Sequence, residues 1–288
     1  MTQEAKSVVI EPRAAPHDER RLADAVVRTV ALTRRYGHLV AADAVSIAVA
    51  PRQIFGLLGP NGAGKSTVVK MLTTLLPPTA GDAWVAGFHV AREPAAVRRS
   101  IGYVPQMLSA DGALTGYENL LLSARLYSVP GAERAGRIEE ALGLMGLREV
   151  AHDVVRSYSG GMVRRLEVAQ GMLHHPVVLF MDEPTVGLDP VARQSLWEHV
   201  RRLRDLLGMT VFITTHYMDE ADEWCDRVAI LHHGRVVAVG SPLELKAQAG
   251  AGATLDDVFI HLTESGIEPE DGGYREVLRT RRTARRLG

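Results

Sequence analysis

A chain of 288 residues, 46% of them hydrophobic and 23% charged, can bury a substantial core and has the composition of an ordinary globule. Its formal net charge of −1 gives no global bias toward nucleic acid, and its one cysteine, Cys225, excludes an internal disulfide and offers no metal cluster. No apolar run approaches the roughly 18 to 20 residues needed to cross a bilayer, and Met1 to Arg21 lacks a secretory apolar core, so the expectation is a cytosolic chain whose membrane role comes through a partner.

Residues 1–24 are polar and alanine-rich with mixed charge, which predicts a disordered lead-in. Val26 to Leu32 reads as a strand, Arg34-Arg35-Tyr36-Gly37 as a turn, and Val45 to Val49 as a second strand. Tyr36 is either a packing ring or a flat platform for a base. The apolar run Ile54 to Leu58 then leads into Gly59-Pro60-Asn61-Gly62-Ala63-Gly64-Lys65-Ser66-Thr67, with helix-like Val68 to Leu72 behind it. Strand, glycine-rich loop, Lys-Ser and helix together make a phosphate cradle. Glycines let backbone N–H groups converge on one polyphosphate, the helix aims its positive end at the same anion, Lys65 adds a point charge, and the Ser66 hydroxyl is a magnesium ligand.

Downstream, Pro77 to Gly81 reads as a turn and Asp82 to Gly87 as a short strand. Ile101 to Val104 is a buried strand stopped by Pro105, which puts Gln106 at a strand mouth as a candidate ligand or a plain loop amide. From Leu114 to Leu147 the periodicity is helical and predicts an insert. Ser159-Gly160-Gly161 opens the next long helix, either as an ordinary cap or as a second anion site, since a helix start leaves its N–H groups open. Val177 to Met181 is a buried parallel strand whose tip carries Asp182, expected in a metal shell, and Glu183, positioned for an attacking water.

Pro184 to Pro190 leads into a helix from Val191 to Leu207, and the strand Thr210 to Thr215 ends at His216, a candidate γ-phosphate contact. His174-His175 and His232-His233 read as surface or loop residues, and Cys225 as a small buried apolar residue. Arg227 to Leu231 and Arg235 to Val239 flank His233-Gly234 as a hairpin, and Ser241 caps a short helix.

From Val26 to Gly250 these pieces, in this order, resemble the nucleotide-binding subunit of an ABC transporter. Tyr158 to Glu167, Asp182 to Pro190, Thr214 to Ala221 and Leu255 to Thr263 resemble the daunorubicin-resistance branch, whose ATP-binding subunits pair with a separate membrane protein of the ABC-2 class. The resemblance implies an α/β fold: a RecA-like P-loop core, an antiparallel β subdomain and a helical subdomain at about 107–173, within a nucleotide-binding domain over 25–250. A C-terminal helix and basic tail over 251–288 would follow. It implies ATP and Mg²⁺, with Tyr36 stacking on the base and Gly59 to Thr67 holding the phosphates. Ser66, Gln106 and Asp182 would order the metal, Glu183 would polarise the water, His216 would steady the γ-phosphate, and Ser159, Gly160, Gly161 and Asp189 would serve as signature and following loop. It also implies a head-to-tail dimer with each ATP between the cradle of one copy and the signature of the other, at the cytoplasmic face of a bacterial-type membrane, powering efflux of a hydrophobic drug or antibiotic. Nucleic acid is not expected as a partner. Met162 departs from the wider family, where most signatures carry glutamine. The rival expectation is a soluble ABC ATPase acting on ribosomes or DNA, but such proteins usually fuse two cassettes or insert long coiled coils, and this sequence has one cassette and no heptad run.

Overall fold

Strands with no polar face need cover on both sides, and the architecture supplies it in two layers. The computed structural model describes residues 24–250 and 252–264; the expected lead-in and the arginine-rich tail lie outside them. A five-stranded antiparallel sheet is built from β1 (Val27–Tyr36), β2 (Leu39–Val45), β3 (Ala48–Val49), β5 (Ala80–Val85) and β6 (Phe88–His89). A six-stranded sheet holds β4 (Ile54–Leu58), β7 (Ile101–Val104), β8 (Val178–Asp182), β9 (Thr210–Thr215), β10 (Arg227–His232) and β11 (Arg235–Gly240), in the order β11-β10-β4-β9-β8-β7. All its neighbours run parallel except the hairpin β10–β11. That hairpin turns on His233 (φ +46°) and Gly234 (φ +78°), the left-handed pair that a two-residue turn requires.

Alternation along the parallel strands assigns each side chain to one of two cores. Phe55, Leu57, Phe180, Phe212 and Leu231 face the antiparallel sheet, together with Val68, Val69, Met71 and Leu72 of helix α1 (Lys65–Leu72). Ile54, Leu58, Leu179, Met181, Val211 and Ile213 face the opposite way, where a helical layer covers them. After α2 (Pro94–Ser100), that layer begins with α3 (Gly116–Leu126) and α4 (Arg134–Leu144), and continues with α5 (Gly160–Met172) and α6 (Pro190–Leu207). Helix α3 starts in a capping box: Thr115 Oγ1 accepts from the Glu118 N–H at 3.1 Å, and Glu118 Oε2 accepts from the Thr115 N–H at 2.8 Å. Helix α6 buries Leu196, Trp197, Val200 and Leu203, one stripe at helical spacing, and ends at Gly208 in the left-handed conformation. Three shorter helices, α7 (Met218–Trp224), α8 (Pro242–Ala249) and α9 (Leu255–Glu264), close the edge, with Leu255, Val258 and Phe259 buried.

Several boundaries differ from the sequence expectation. The turn expected at Arg34 to Gly37 is absorbed into β1, which stays paired to its last residue, Tyr36 opposite Leu39, so only Gly37 and His38 turn. Val45 to Val49 is not one strand. Thr29 Oγ1 donates to Val45 O at 2.8 Å and accepts from the Ile47 N–H at 3.0 Å, so a side chain replaces the ladder and splits the run between β2 and β3. His174, expected as a surface or loop residue, lies in the turn after α5 but is half-buried: its ring stacks on Tyr127 at 4.0 Å, and burial holds its pKa below the usual histidine value. His232, given the same reading, is the last residue of β10 rather than part of a loop. Cys225 is buried, as expected, and burial pushes its thiol pKa well up.

Candidate active site

The loop between β4 and α1 is held open by what surrounds its glycines. A Cβ on Gly59 would sit 2.2 Å from Leu231 O, and one on Gly64, whose φ is +103°, would sit 2.1 Å from Ala41 O. Only glycine fits where the ends of β2 and β10 press on the loop. Gly64→Ala is therefore expected to cost about 1–3 kcal/mol in backbone strain before the clash is relieved, and to weaken ATP binding by moving the loop. Thermal melts and ATP titration check this, and an unchanged melting temperature with full affinity would contradict it.

Lys65, the first residue of α1, is 4% exposed. Its Nζ donates to Gly59 O at 2.8 Å and Pro60 O at 3.1 Å, and pairs with Glu183 Oε1 at 3.1 Å. The ammonium is thus fixed at the mouth of the loop by groups from two elements. Beside it, Ser66 Oγ donates to Asp182 Oδ1 at 3.2 Å.

Asp182 closes β8 opposite Thr214 of β9, whose hydroxyl donates to the same carboxylate oxygen. Burial and the charge of Asp182 push the nearby Tyr103 phenol up to about 12. The next residue, Glu183, takes φ +47°, a left-handed conformation uncommon for any residue but glycine. Its N–H holds that kink by donating to Thr214 O at 3.1 Å and Thr214 Oγ1 at 2.9 Å. The kink turns the carboxylate toward three side chains from other elements: Lys65, Gln106, whose Nε2 donates to Oε2 at 3.3 Å, and His216, whose Nδ1 lies 3.4 Å from the same oxygen. A cleft of about 540 Å³ opens over this knot, lined by Asn61, Gly62, Gly64, Lys65, Ser66, Thr67, Gln106, Glu183 and His216, with Ala41, Val186 and Tyr217 at its edges.

The sequence-predicted residues therefore fall into two groups. Lys65, Ser66, Gln106, Glu183 and His216 converge with Asn61, Gly62, Gly64 and Thr67 around the cleft, and Asp182 joins them through Ser66, while Gly59, Pro60 and Ala63 of the same loop are outside its lining. Tyr36, Ser159, Gly160, Gly161 and Asp189 do not line the cleft. Tyr36 lies at the end of β1, 45% exposed, with the Arg34 guanidinium 4.8 Å over its ring. Ser159 and Gly160 are exposed at the start of α5, where Ser159 Oγ accepts from the Met162 N–H at 3.3 Å. A Cβ on Gly161 would lie 2.8 Å from the Cβ of Ala192, so the starts of α5 and α6 are neighbours. Asp189 caps α6, its Oδ1 accepting from Val191 N–H at 3.0 Å and Ala192 N–H at 2.9 Å. Met162 packs on the core, an apolar role in place of a polar one.

Sequence reasoning missed Thr214, one of three threonines in the buried strand β9, where a hydroxyl beside the acidic tip of the neighbouring strand was the available signal. It also missed Glu220 of α7, which is 4% exposed. Thr185 Oγ1 donates to Glu220 Oε2 at 2.9 Å, Arg193 lies 3.2 Å from Oε1, and burial raises the carboxyl pKa. Arg193 in turn covers Tyr217 at 4.6 Å, and that ring rests 4.1 Å from His216, which links the start of α6 to the cleft.

Comparison with known proteins agrees with this geometry. The family described as ABC transporter matches residues 42–186. The chain is 44% identical over 244 residues to the daunorubicin/doxorubicin resistance ATP-binding protein DrrA of Streptomyces peucetius, spanning 85% of this chain and 73% of that protein. Among solved structures it resembles an ATP binding subunit of an ABC transporter at TM-score 0.74 and 30% identity, covering 83% of this chain and 99% of the other. It also resembles the dimeric bacterial ABC transporter cassette MJ0796 at TM-score 0.67 and 25% identity, covering 75% and 98%. A lysine-bearing glycine loop and an acidic strand tip in the same sheet, found within that family's sequence pattern, make the assignment: the chain belongs to the ABC transporter family and is an ATP-hydrolysing transporter subunit.

Proposed function

We propose that this chain powers the export of a hydrophobic drug or antibiotic through a separate ABC-2-type membrane subunit, from the cytoplasmic face of the membrane, and that two copies close head to tail around ATP to do so. The observation that carries the dimer is the division of the predicted anion-binding residues. One set lines the cleft, while Ser159 and Gly160 stand exposed at a helix start away from it. A helix start with open N–H groups suits a phosphate, and a second copy can supply one.

Within the cleft, the loop N–H groups and Lys65 bind the β and γ phosphates. The donors expected for Mg²⁺ are hard oxygens, the Ser66 hydroxyl, the Asp182 carboxylate and the Gln106 amide. With Ser66 and Asp182 already 3.2 Å apart, the set fits a cation that takes one or two carboxylates and completes its shell from phosphate. When bound, that ion neutralises charge developing on the transferred phosphoryl group. Glu183, kinked into the cleft, orients the attacking water and accepts its proton. His216, on the far side of that carboxylate, holds the γ-phosphate oxygen and keeps the carboxylate facing it. Tyr36 stacks on the base. Hydrolysis removes the anion shared between the copies, and the pair loosens.

Isolation of the chain with its partners from detergent-solubilised membranes, followed by ATPase assays with anthracycline-like compounds, tests the assignment. A multi-span partner and drug-stimulated turnover are expected; recovery with ribosomes or DNA instead would overturn it.

A further inference from the structure

Helix α5 carries two charged residues one turn apart, Arg164 and Glu167, each 2% exposed. A buried arginine and glutamate are tolerated only when paired and hydrogen-bonded; Arg164 Nε is left unbonded, and the partners of the other polar atoms, beyond each other, lie in a single loop. Arg164 Nη1 donates to Pro105 O at 2.8 Å and to Glu167 Oε2 at 2.9 Å, while Nη2 donates to Gln106 O at 2.8 Å. Glu167 Oε1 accepts from the Ser109 backbone N–H and from Ser109 Oγ at 3.1 Å. The same loop is otherwise exposed, with Met107 and Leu108 83% and 58% open. Its backbone is therefore held from α5, on either side of those two residues, and Gln106 reaches Glu183 from that anchored position.

We propose that Arg164 and Glu167 are positioning residues for hydrolysis, a clamp that fixes the Gln106 loop to the helix beginning at Ser159, so that a shift of that helix on meeting the other copy's ATP carries Gln106 with it. This rests on the role given above to Gln106 and Glu183. The fork matters as much as the charge: a planar guanidinium serves two carbonyls and a carboxylate at once, which a lysine ammonium, a compact point charge, does not reproduce.

The test is a set of steady-state ATPase measurements on Arg164→Lys and Glu167→Gln, each alone and combined with Gln106→Ala. Ser109→Ala, which removes the hydroxyl that meets Glu167 at an exposed residue, is the variant least able to disturb folding. Each clamp variant is expected to lower kcat about tenfold, the loss of one charge-assisted hydrogen bond, with KM for ATP within about twofold of the parent, the pattern of lost positioning rather than lost binding. In the Gln106→Ala background the further loss is expected to shrink to under about twofold, because the residue being positioned is gone. An equal loss in both backgrounds, or a kcat unchanged by all three single variants while Gln106→Ala is slow, would overturn the clamp. Full turnover in Gln106→Ala would instead remove the role of Gln106 itself, and the clamp's catalytic purpose with it.

Discussion

Glu183→Gln is expected to bind ATP with near wild-type affinity and to turn it over about 10² to 10⁴ times more slowly, the usual loss on removing a general base. The substitution preserves shape and leaves an amide that can still meet Lys65, Gln106 and His216, the groups that surround the carboxylate at 3.1–3.4 Å. The backbone kink at φ +47° is held by Thr214 rather than by the side chain, so the geometry should persist. What disappears is the capacity to take a proton. Because that capacity matters only in the transition state, kcat and kcat/KM should fall together. Phosphate release measured beside an ATP titration separates the two, and turnover near the wild-type rate would take the role away from Glu183.

Lys65→Ala is the second large effect. The ammonium is a charged donor preset at the loop mouth, and a hydrogen bond to a charged group contributes about 1.5–3 kcal/mol. At about 1.4 kcal/mol per tenfold, ATP affinity should fall roughly 10- to 150-fold. The variant also leaves the buried Glu183 without its cation. Lys65→Arg is not expected to rescue, because a planar fork cannot enter a space lined by Gly59 O and Pro60 O as a compact ammonium does. Titration with a fluorescent ATP analogue checks this; unchanged affinity would contradict the assignment.

Much of this site was legible in the sequence because its chemistry is local. Gly59 to Thr67 carries its loop and helix start in nine consecutive residues, and Asp182, Gln106 and His216 each sit at, or within two residues of, the carboxyl end of a strand. The parallel core was legible for the same reason: strands buried on both faces have no polar alternation. What escaped depended on contacts far apart in the chain. That Gly64 sits under Ala41, that Thr214 pins the backbone of Glu183, and that Arg164 holds Pro105 and Gln106 are consequences of packing between elements 23 to 59 residues apart. The split of Val45 to Val49 by the Thr29 hydroxyl is of the same kind, since a side chain substituting for a ladder bond leaves no mark on periodicity. Arg164 and Glu167 would read on a helix as an ordinary i,i+3 surface pair, and only their burial marks them as something else.

The dimer is the part of the account on which the mechanical consequence of hydrolysis depends. Light scattering of Glu183→Gln, with saturating ATP and Mg²⁺ and again with ADP, tests it most directly. The account predicts twice the monomer mass with ATP and the monomer mass with ADP, with Ser159→Arg abolishing the larger species. A monomer under saturating ATP, even with the membrane partner present, would contradict it.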